Sequence, residues 1–220
     1  MFIRSTPLAG EPKNGGLPWD PFKALVAPRP IGWITSVASD GSINLAPFSF
    51  FNVVGDSPNM VSLAIGERVD GRQKDSRRNI EETGEFVCNL ATWDLREQMN
   101  MTSSSVEEGV DEAELAGLAL VPSQIVSPPR VARSPAALEC VYTETFVPHA
   151  ANGSAHHFRL ILGEVVGVYI DDRFIADGRV DTAAMKPMTR MGYDEYAVVE
   201  SAVRMDRPDL DIMKALRTPE

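Results

Sequence analysis

Five basic residues lie close together in a chain that otherwise carries an excess of acidic side chains. They are Arg68, Arg72, Lys74, Arg77 and Arg78. They surround Asp75, near which a short helix is predicted to begin. The first turn of a helix has N–H groups without intrahelical partners and a partial positive charge, so it attracts anions. With the Lys74 ammonium and the Ser76 hydroxyl, this segment predicts a small phosphate site. A solubilising helix face explains the same cluster equally well.

A second candidate site is the run Asn44-Leu-Ala-Pro-Phe-Ser-Phe-Phe-Asn52, where a predicted strand ends in a loop. The run combines aromatic bulk with small polar side chains and backbone N–H groups. Such a combination suits a planar heterocycle, because ligand sites are mostly apolar with a few polar groups that fix orientation. The alternative is a hydrophobic core in which Phe48, Phe50 and Phe51 pack, and the pattern alone favours this alternative.

Other catalytic signatures are absent from the sequence. It contains no G-x-S-x-G, H-E-x-x-H or Walker A motif, and no G-x-G-x-x-G follows a predicted strand. Adjacent His156 and His157 are expected on opposite faces of a strand, where they would not share a metal ion. A solvated acidic face is expected from Glu107, Glu108, Asp111 and Glu112. We therefore expect neither a metal site nor a pair of carboxylates acting as general acid and base.

The elements that must position these residues are mostly strands. A strand over 31–38 leads through the turn Ser39-Asp40-Gly41-Ser42 into a return strand over 43–51. Further strands are predicted over 60–65, 86–91, 138–147 and 158–170, and short helices from Asp75 or Ser76 to Gly84, over 93–101 and over 111–118. Gly163 and Gly167 predict a bulge or bend in the last strand. This balance favours a β-barrel with short helices over alternating βαβ units.

The composition limits the class of protein. The chain has 220 residues and a net charge of −10, and its 44% hydrophobic and 24% charged residues are near the globular average. This acidity argues against nucleic-acid binding and against contact with anionic membranes. We find no apolar run long enough for a bilayer span and no signal-peptide pattern, so a cytoplasmic location is expected. Cys88 and Cys140 lie in apolar runs, as buried free thiols do.

Seven segments, in order along the chain, resemble the flavin reductase-like family, which includes flavoredoxin-type proteins with an FMN-binding split barrel. They are Arg29-Pro-Ile-Gly-Trp-Ile-Thr-Ser36, the run 44–52, Lys74-Asp-Ser-Arg-Arg-Asn-Ile80, 111–118, 134–140, 162–166 and Arg190-Met-Gly-Tyr193. The resemblance covers one domain over 22–200 and leaves a C-terminal tail over 201–220, while four prolines among glycines predict an irregular N-terminal arm over 1–21. It also implies a mainly β fold, a six-stranded antiparallel split barrel, and a homodimer with FMN near the subunit interface.

The resemblance further implies which residues hold the cofactor. The isoalloxazine and ribityl chain would be lined by Thr35, Ser36, Asn44, Ala46, Pro47, Phe48, Ser49, Phe50, Phe51 and Asn52. The phosphate would lie at Lys74, Asp75 and Ser76, in agreement with the helix-start argument. Arg190 would close the site. His157 is a candidate to face the flavin or a bound nicotinamide, and a structural histidine is the alternative.

The implied activity is that of an FMN-binding oxidoreductase, a flavin reductase that transfers hydride from NADH or NADPH to flavin and feeds a monooxygenase or another redox protein. The alternative is an electron-transfer flavoprotein that holds FMN tightly and exchanges electrons with a protein partner. A ligand sensor built on the same barrel is a third interpretation. The sequence does not separate the three, because a fold does not fix a function.

Overall fold

A computed structural model of the chain describes residues 1–6, 8–68, 70–104, 106–107 and 109–208. The strands are β1 (Arg29–Pro30), β2 (Gly32–Val37), β3 (Ile43–Phe48), β4 (Phe51–Asp56), β5 (Asn59–Ile65), β6 (Glu85–Leu90), β7 (Leu120–Val121), β8 (Arg130–Val131), β9 (Ala136–Phe146), β10 (Arg159–Ile170), β11 (Ile175–Ala176), β12 (Arg179–Val180), β13 (Met188–Arg190) and β14 (Tyr196–Val198). The α-helices are α1 (Phe22–Leu25), α2 (Asp75–Thr83), α3 (Arg96–Met101) and α4 (Glu112–Leu115), and 3-10 turns span Lys13–Gly16, Trp93–Leu95 and Asp172–Phe174. Within the described ranges, we find no helix of the length and apolarity that a bilayer crossing requires.

Seven antiparallel strands form the main sheet, in the order β3-β2-β6-β9-β10-β5-β4. Its edge strands, β3 and β4, follow each other in the chain with only Ser49 and Phe50 between them. Three Cα–Cα steps from Phe48 to Phe51 span at most about 11 Å, so the two edges must approach and the sheet must curl. The described strands show no ladder between these edges. The predicted mainly β split barrel is therefore confirmed.

The strand details differ from the prediction in two respects. The main sheet has seven strands rather than six, and the strand predicted over 43–51 ends at Phe48 because the chain crosses to the other edge there. The predicted irregularity in β10 is confirmed, with register shifts between Leu162 and Gly163 and between Val165 and Gly167. These bulges bend the long β9–β10 hairpin, which helps the sheet to close.

Both faces of β2 are covered by hydrophobic side chains. Ile34 packs in a cluster with residues of β5, β6, β9 and β10, whereas Trp33 packs on the other face with Leu95 and Met99. The indole Nε1 of Trp33 also donates a hydrogen bond of 2.9 Å to the Thr102 hydroxyl. The segment after α3 is thereby fixed against the sheet.

Cys88 and Cys140 are both buried free thiols, as predicted. Their sulfur atoms lie 4.0 Å apart in the same hydrophobic cluster. Burial is the main cause that raises the pKa of the Cys88 thiol. Both side chains therefore serve as small apolar core residues.

The helix termini confirm one predicted cap and correct another. Gly84 ends α2 with a φ of 76°, as predicted. Neither Asp75 nor Ser76 caps the start of α2. Lys74 occupies the N-cap position, and its side chain makes no capping hydrogen bond. In α4, Asp111 is the N-cap and its carboxylate accepts from the Ala113 and Glu114 amides.

We expect Gly163→Ala to lower the free energy of unfolding by about 1–3 kcal/mol, because the added methyl overfills the barrel interior. Its Cβ would lie 2.6 Å from Phe86 Cε1 and 3.3 Å from the Val141 carbonyl oxygen, and Phe86 is fully buried. Gly55→Ala is the matched control, since its Cβ would meet only the Pro58 carbonyl oxygen at 3.7 Å. Urea unfolding of both variants measures the difference, and equal stabilities would contradict this packing.

Candidate functional site

A large cleft opens where the chain crosses between the two edge strands. Its volume is about 900 Å³. Its walls include Lys23, Arg29, Pro47, Phe48, Ser49, Phe50, Glu67, Lys74, Trp93, Arg96, Ser103, His157, Phe158, Arg190, Tyr193, Asp194 and Tyr196. The crossing residues Ser49 and Phe50 belong to neither strand, although the Phe50 carbonyl oxygen accepts a hydrogen bond of 2.8 Å from the Ala64 amide of β5.

A second cleft of about 470 Å³ lies beside the first. It is lined by residues that include Asn44, Ala46, Arg68, Asp75, Ser76, Thr102, Ser104 and Glu112. Both clefts share a wall made of Pro47, Phe48, Glu67, Lys74 and Ser103. The two clefts are therefore adjacent parts of one site, and Lys74 lies at their junction.

The charges at the start of α2 separate the two interpretations of the basic cluster. Arg68 and Arg78 both pair with Asp75, and Arg77 pairs with Glu81 at 2.9 Å. In the described part of the chain no carboxylate pairs with Lys74, whose Nζ lies 5.8 Å from the centroid of the Phe48 ring. Each of these arginines thus has a carboxylate partner, which Arg68 and Arg78 share, while Lys74 keeps its positive charge for the cleft.

The Lys74 side chain is open to the solvent of the cleft, yet the surrounding protein desolvates its ammonium. Partial burial, followed by repulsion from Arg68, lowers the pKa of Lys74. A cation in such surroundings gains more from an anion than one in bulk water does, because the effective dielectric constant is lower.

Two buried polar side chains connect α2 to the edge strand β3. Asn44 Nδ2 donates a hydrogen bond of 2.8 Å to Ser76 Oγ, and both residues line the second cleft. Ser76 lies in the first helical turn, and the first intrahelical hydrogen bonds are made by the amides of Arg77 and Arg78 to the Lys74 carbonyl. The Ser76 hydroxyl, the amides before Arg77 and the Lys74 ammonium therefore lie at one part of the wall.

Glu112 is buried and lines the second cleft, so the expected solvated acidic face is wrong at this position. Its carboxylate accepts a hydrogen bond of 3.1 Å from the Leu45 amide. This bond gives a partner to a backbone N–H of the edge strand β3. Burial raises the pKa of Glu112, and the charges of Asp75 and Asp111 raise it further. Its position four residues before the buried Ala116, on one helix face, was the sequence signal for burial.

Aromatic rings form one wall of the first cleft. The rings of Phe50 and Phe158 lie 5.3 Å apart, and the His157 ring lies 4.8 Å from Phe158. The expectation that His156 and His157 face opposite ways is wrong, because their rings stack at 4.4 Å. Both histidines precede β10, which begins at Arg159, so the alternation of a strand does not apply to them.

Arg29 lines the first cleft, but it was not among the site residues predicted from the sequence. It pairs with Arg190 in the β1–β13 ladder and is only 8% exposed. Its guanidinium donates to the carbonyls of Lys23 at 2.6 Å and Met191 at 2.7 Å, and also to that of Val26. The signal was its place at the start of the first motif of the resemblance.

Eleven of the predicted site residues line the two clefts. They are Asn44, Ala46, Pro47, Phe48, Ser49, Phe50, Lys74, Asp75, Ser76, His157 and Arg190. In the described residues, no three histidine, cysteine or acidic side chains come together as a metal site would require.

Four predicted site residues, Thr35, Ser36, Phe51 and Asn52, are not in the cleft walls. The buried hydroxyls of Thr35 and Ser36 accept hydrogen bonds from buried asparagine side chains. Phe51 packs against the barrel core, and Asn52 is exposed on β4. Their contribution to a bound ligand remains a prediction.

Comparison with known proteins identifies relatives across most of the chain. A family model described as flavin reductase like domain matches residues 25–183. An uncharacterized protein of Halalkalibacterium halodurans is 36% identical over 185 residues, which cover 84% of this chain and 88% of the relative.

Two solved structures share the fold at moderate identity. Nitrilotriacetate monooxygenase component B from Bacillus cereus has a TM-score of 0.76 and 28% identity, covering 84% of this chain and 91% of that one. The 2-nitrobenzoate 2-nitroreductase of Pseudomonas fluorescens has a TM-score of 0.74 and 30% identity, covering 86% and 89%. With the family model spanning most of the barrel, these matches show that the chain belongs to the flavin reductase-like family.

Proposed function

We propose that this protein binds FMN and is an NAD(P)H-dependent flavin reductase. One observation carries the proposal: Lys74 lies at the junction of two clefts without a carboxylate partner in the described chain, while the neighbouring arginines are paired. An anion-binding group is therefore kept available in a protein with a net charge of −10. The family membership gives the anion its chemical class, a phosphorylated flavin.

The second cleft and its junction fit the phosphate end of FMN. Lys74 Nζ, the Ser76 hydroxyl and the amides of Asp75 and Ser76 are hydrogen-bond donors, and a phosphate accepts from such donors. Asn44 holds the Ser76 hydroxyl at 2.8 Å, which fixes its position before a ligand arrives. The Asp75 carboxylate faces Arg68 and Arg78, so much of its repulsion of a phosphate is neutralised.

The first cleft fits the flavin ring. Phe48 and Phe50 provide apolar surface, and the backbone between the edge strands provides amides from Ser49 onward, since Pro47 has none. Such amides are suited to stabilise negative charge on a ring. When bound, the flavin supplies the redox chemistry, and the protein contributes binding, orientation and exclusion of water.

The relatives support a redox role with a protein partner. One structural neighbour is a component of a monooxygenase and another is a nitroreductase. We accordingly propose that reduced flavin is passed to a monooxygenase or another redox protein. We also propose a homodimer, because Val53 and Val54 expose 68% and 54% of their surface on the edge strand β4. Exposed apolar edge strands tend to be covered by another chain.

Lys74→Ala is expected to weaken FMN binding by about tenfold or more, because a charged hydrogen bond to the phosphate is lost. Lys74→Arg should retain most of the affinity, and Lys13→Ala, which removes the same charge outside both clefts, should leave it unchanged. Fluorescence titration of FMN measures all four proteins. Equal affinity in the wild type and Lys74→Ala would refute the phosphate assignment.

The FMN-loaded protein should lose its flavin absorbance rapidly when NADH or NADPH is added anaerobically. The reason is that the open first cleft gives a second ligand access to the flavin ring. Stopped-flow absorbance identifies the donor as the nucleotide that acts at the lower concentration. A flavin that persists with both nucleotides but is reduced by dithionite would instead indicate an electron carrier.

A further inference from the structure

We propose that Arg29 and Arg190, together with Lys23, form a binding site for the pyrophosphate of the nicotinamide dinucleotide, at a part of the first cleft separate from the flavin phosphate site. This inference rests on the proposed function, since it names the residues that hold its second substrate. Arg190, predicted from the resemblance to contact the cofactor, is here assigned to the electron donor.

The three cations share one region of the first cleft. Arg29 and Arg190 are cross-strand partners in the β1–β13 ladder, which places their side chains side by side. Arg29 Nη1 bonds the carbonyl of Lys23 at 2.6 Å, so the Lys23 backbone lies against the same guanidinium. All three line the first cleft, and none of them lines the second. Lys74, by contrast, lines both clefts.

This cationic group has no ion-pair partner in the described ranges. Arg29 bonds only carbonyl oxygens, and Arg190 bonds the Tyr196 hydroxyl and the Tyr193 carbonyl. The acidic residues on the cleft wall are Glu67, Glu97 and Asp194. Glu67 pairs with Arg159 and Glu97 with Arg96, while Asp194 is exposed.

A buried arginine without a counter-ion is costly, and a second arginine beside it adds repulsion. Arg29 is 8% exposed, and its Nε–H is buried without an acceptor. Burial and then the charge of Arg190 lower the pKa of Arg29. An anion bound beside Arg190 would offset this repulsion, which the protein alone leaves uncompensated.

The number of charges favours a pyrophosphate over a single carboxylate. Two adjacent guanidiniums and one ammonium carry three positive charges, which a pyrophosphate with two negative charges neutralises better than one carboxylate does. Arg29 already donates to backbone carbonyls, so Arg190 is the arginine that would bind phosphate oxygens in a pair. Arg29 also lies over the Phe50 ring at 6.0 Å. A ligand held by these cations would therefore extend along the aromatic wall toward the crossing residues, where the flavin ring is proposed to lie.

The test is isothermal titration of ADP-ribose, which contains the pyrophosphate and lacks the nicotinamide, into the protein with and without FMN. Arg190→Gln should raise the Kd of ADP-ribose by about tenfold, while Arg190→Lys should raise it much less. Arg173→Gln is the matched control, since it removes the same charge at an exposed residue outside both clefts. The affinity for FMN should stay the same in Arg173→Gln, and in the two Arg190 variants it should change less than the affinity for ADP-ribose does.

A kinetic comparison isolates the phosphate contact from the chemistry. Arg190→Gln should raise the NADH concentration needed for half-maximal flavin reduction by a much larger factor than it raises that of 1-benzyl-1,4-dihydronicotinamide, which has no phosphate. Equal ADP-ribose affinity in the wild type and Arg190→Gln would overturn the proposal. Binding of benzoate in place of ADP-ribose, lost in Arg190→Gln, would also overturn it and reassign the site to carboxylates. Failure of the wild type to bind FMN would instead contradict the proposed function.

Discussion

An acidic protein that binds phosphorylated ligands must keep a few cations free of its own carboxylates. With a net charge of −10, this chain could neutralise every lysine and arginine it has. Around α2 it largely does so, since Arg68, Arg77 and Arg78 pair with Asp75 or Glu81. In the described chain, Lys74 and the Arg29–Arg190 pair have no such partner, and all three line the same cleft. The proposed activity depends on this selective pairing.

The barrel creates the cleft in which these cations lie. Because Ser49 and Phe50 alone connect β3 to β4, the edges of the sheet must meet, and the crossing places two residues between the edge strands. Phe48 and Lys74 stand on one side of this crossing, and Arg29 lies over the ring of Phe50. Closure of the sheet and formation of the site are thus one structural event.

Local sequence signals predicted the local features well. The Asp40-Gly41 turn, the Gly84 helix end and the bulges near Gly163 and Gly167 each depend on residues close in sequence. The missed features depend on distant pairings. Glu112 is buried because it meets the Leu45 amide, 67 positions away, and Arg29 becomes a site residue because β1 pairs with β13. Helical spacing with Ala116 indicates that Glu112 is buried, but no periodicity identifies a partner so far away in the chain, so the resemblance and the structure were both needed to find the site.

The Lys74 ammonium at the junction of the two clefts is proposed to bind the FMN phosphate, and the affinities for flavins with and without that phosphate test this proposal. The wild-type protein can be titrated with FMN and with riboflavin, which differ only by the phosphate, at low and high salt. FMN should bind about tenfold more tightly than riboflavin or better, and this advantage should shrink as salt screens the charge. Equal affinities for FMN and riboflavin at low salt would show that Lys74 and the α2 amides do not bind the phosphate, and would contradict its assignment to the junction of the clefts.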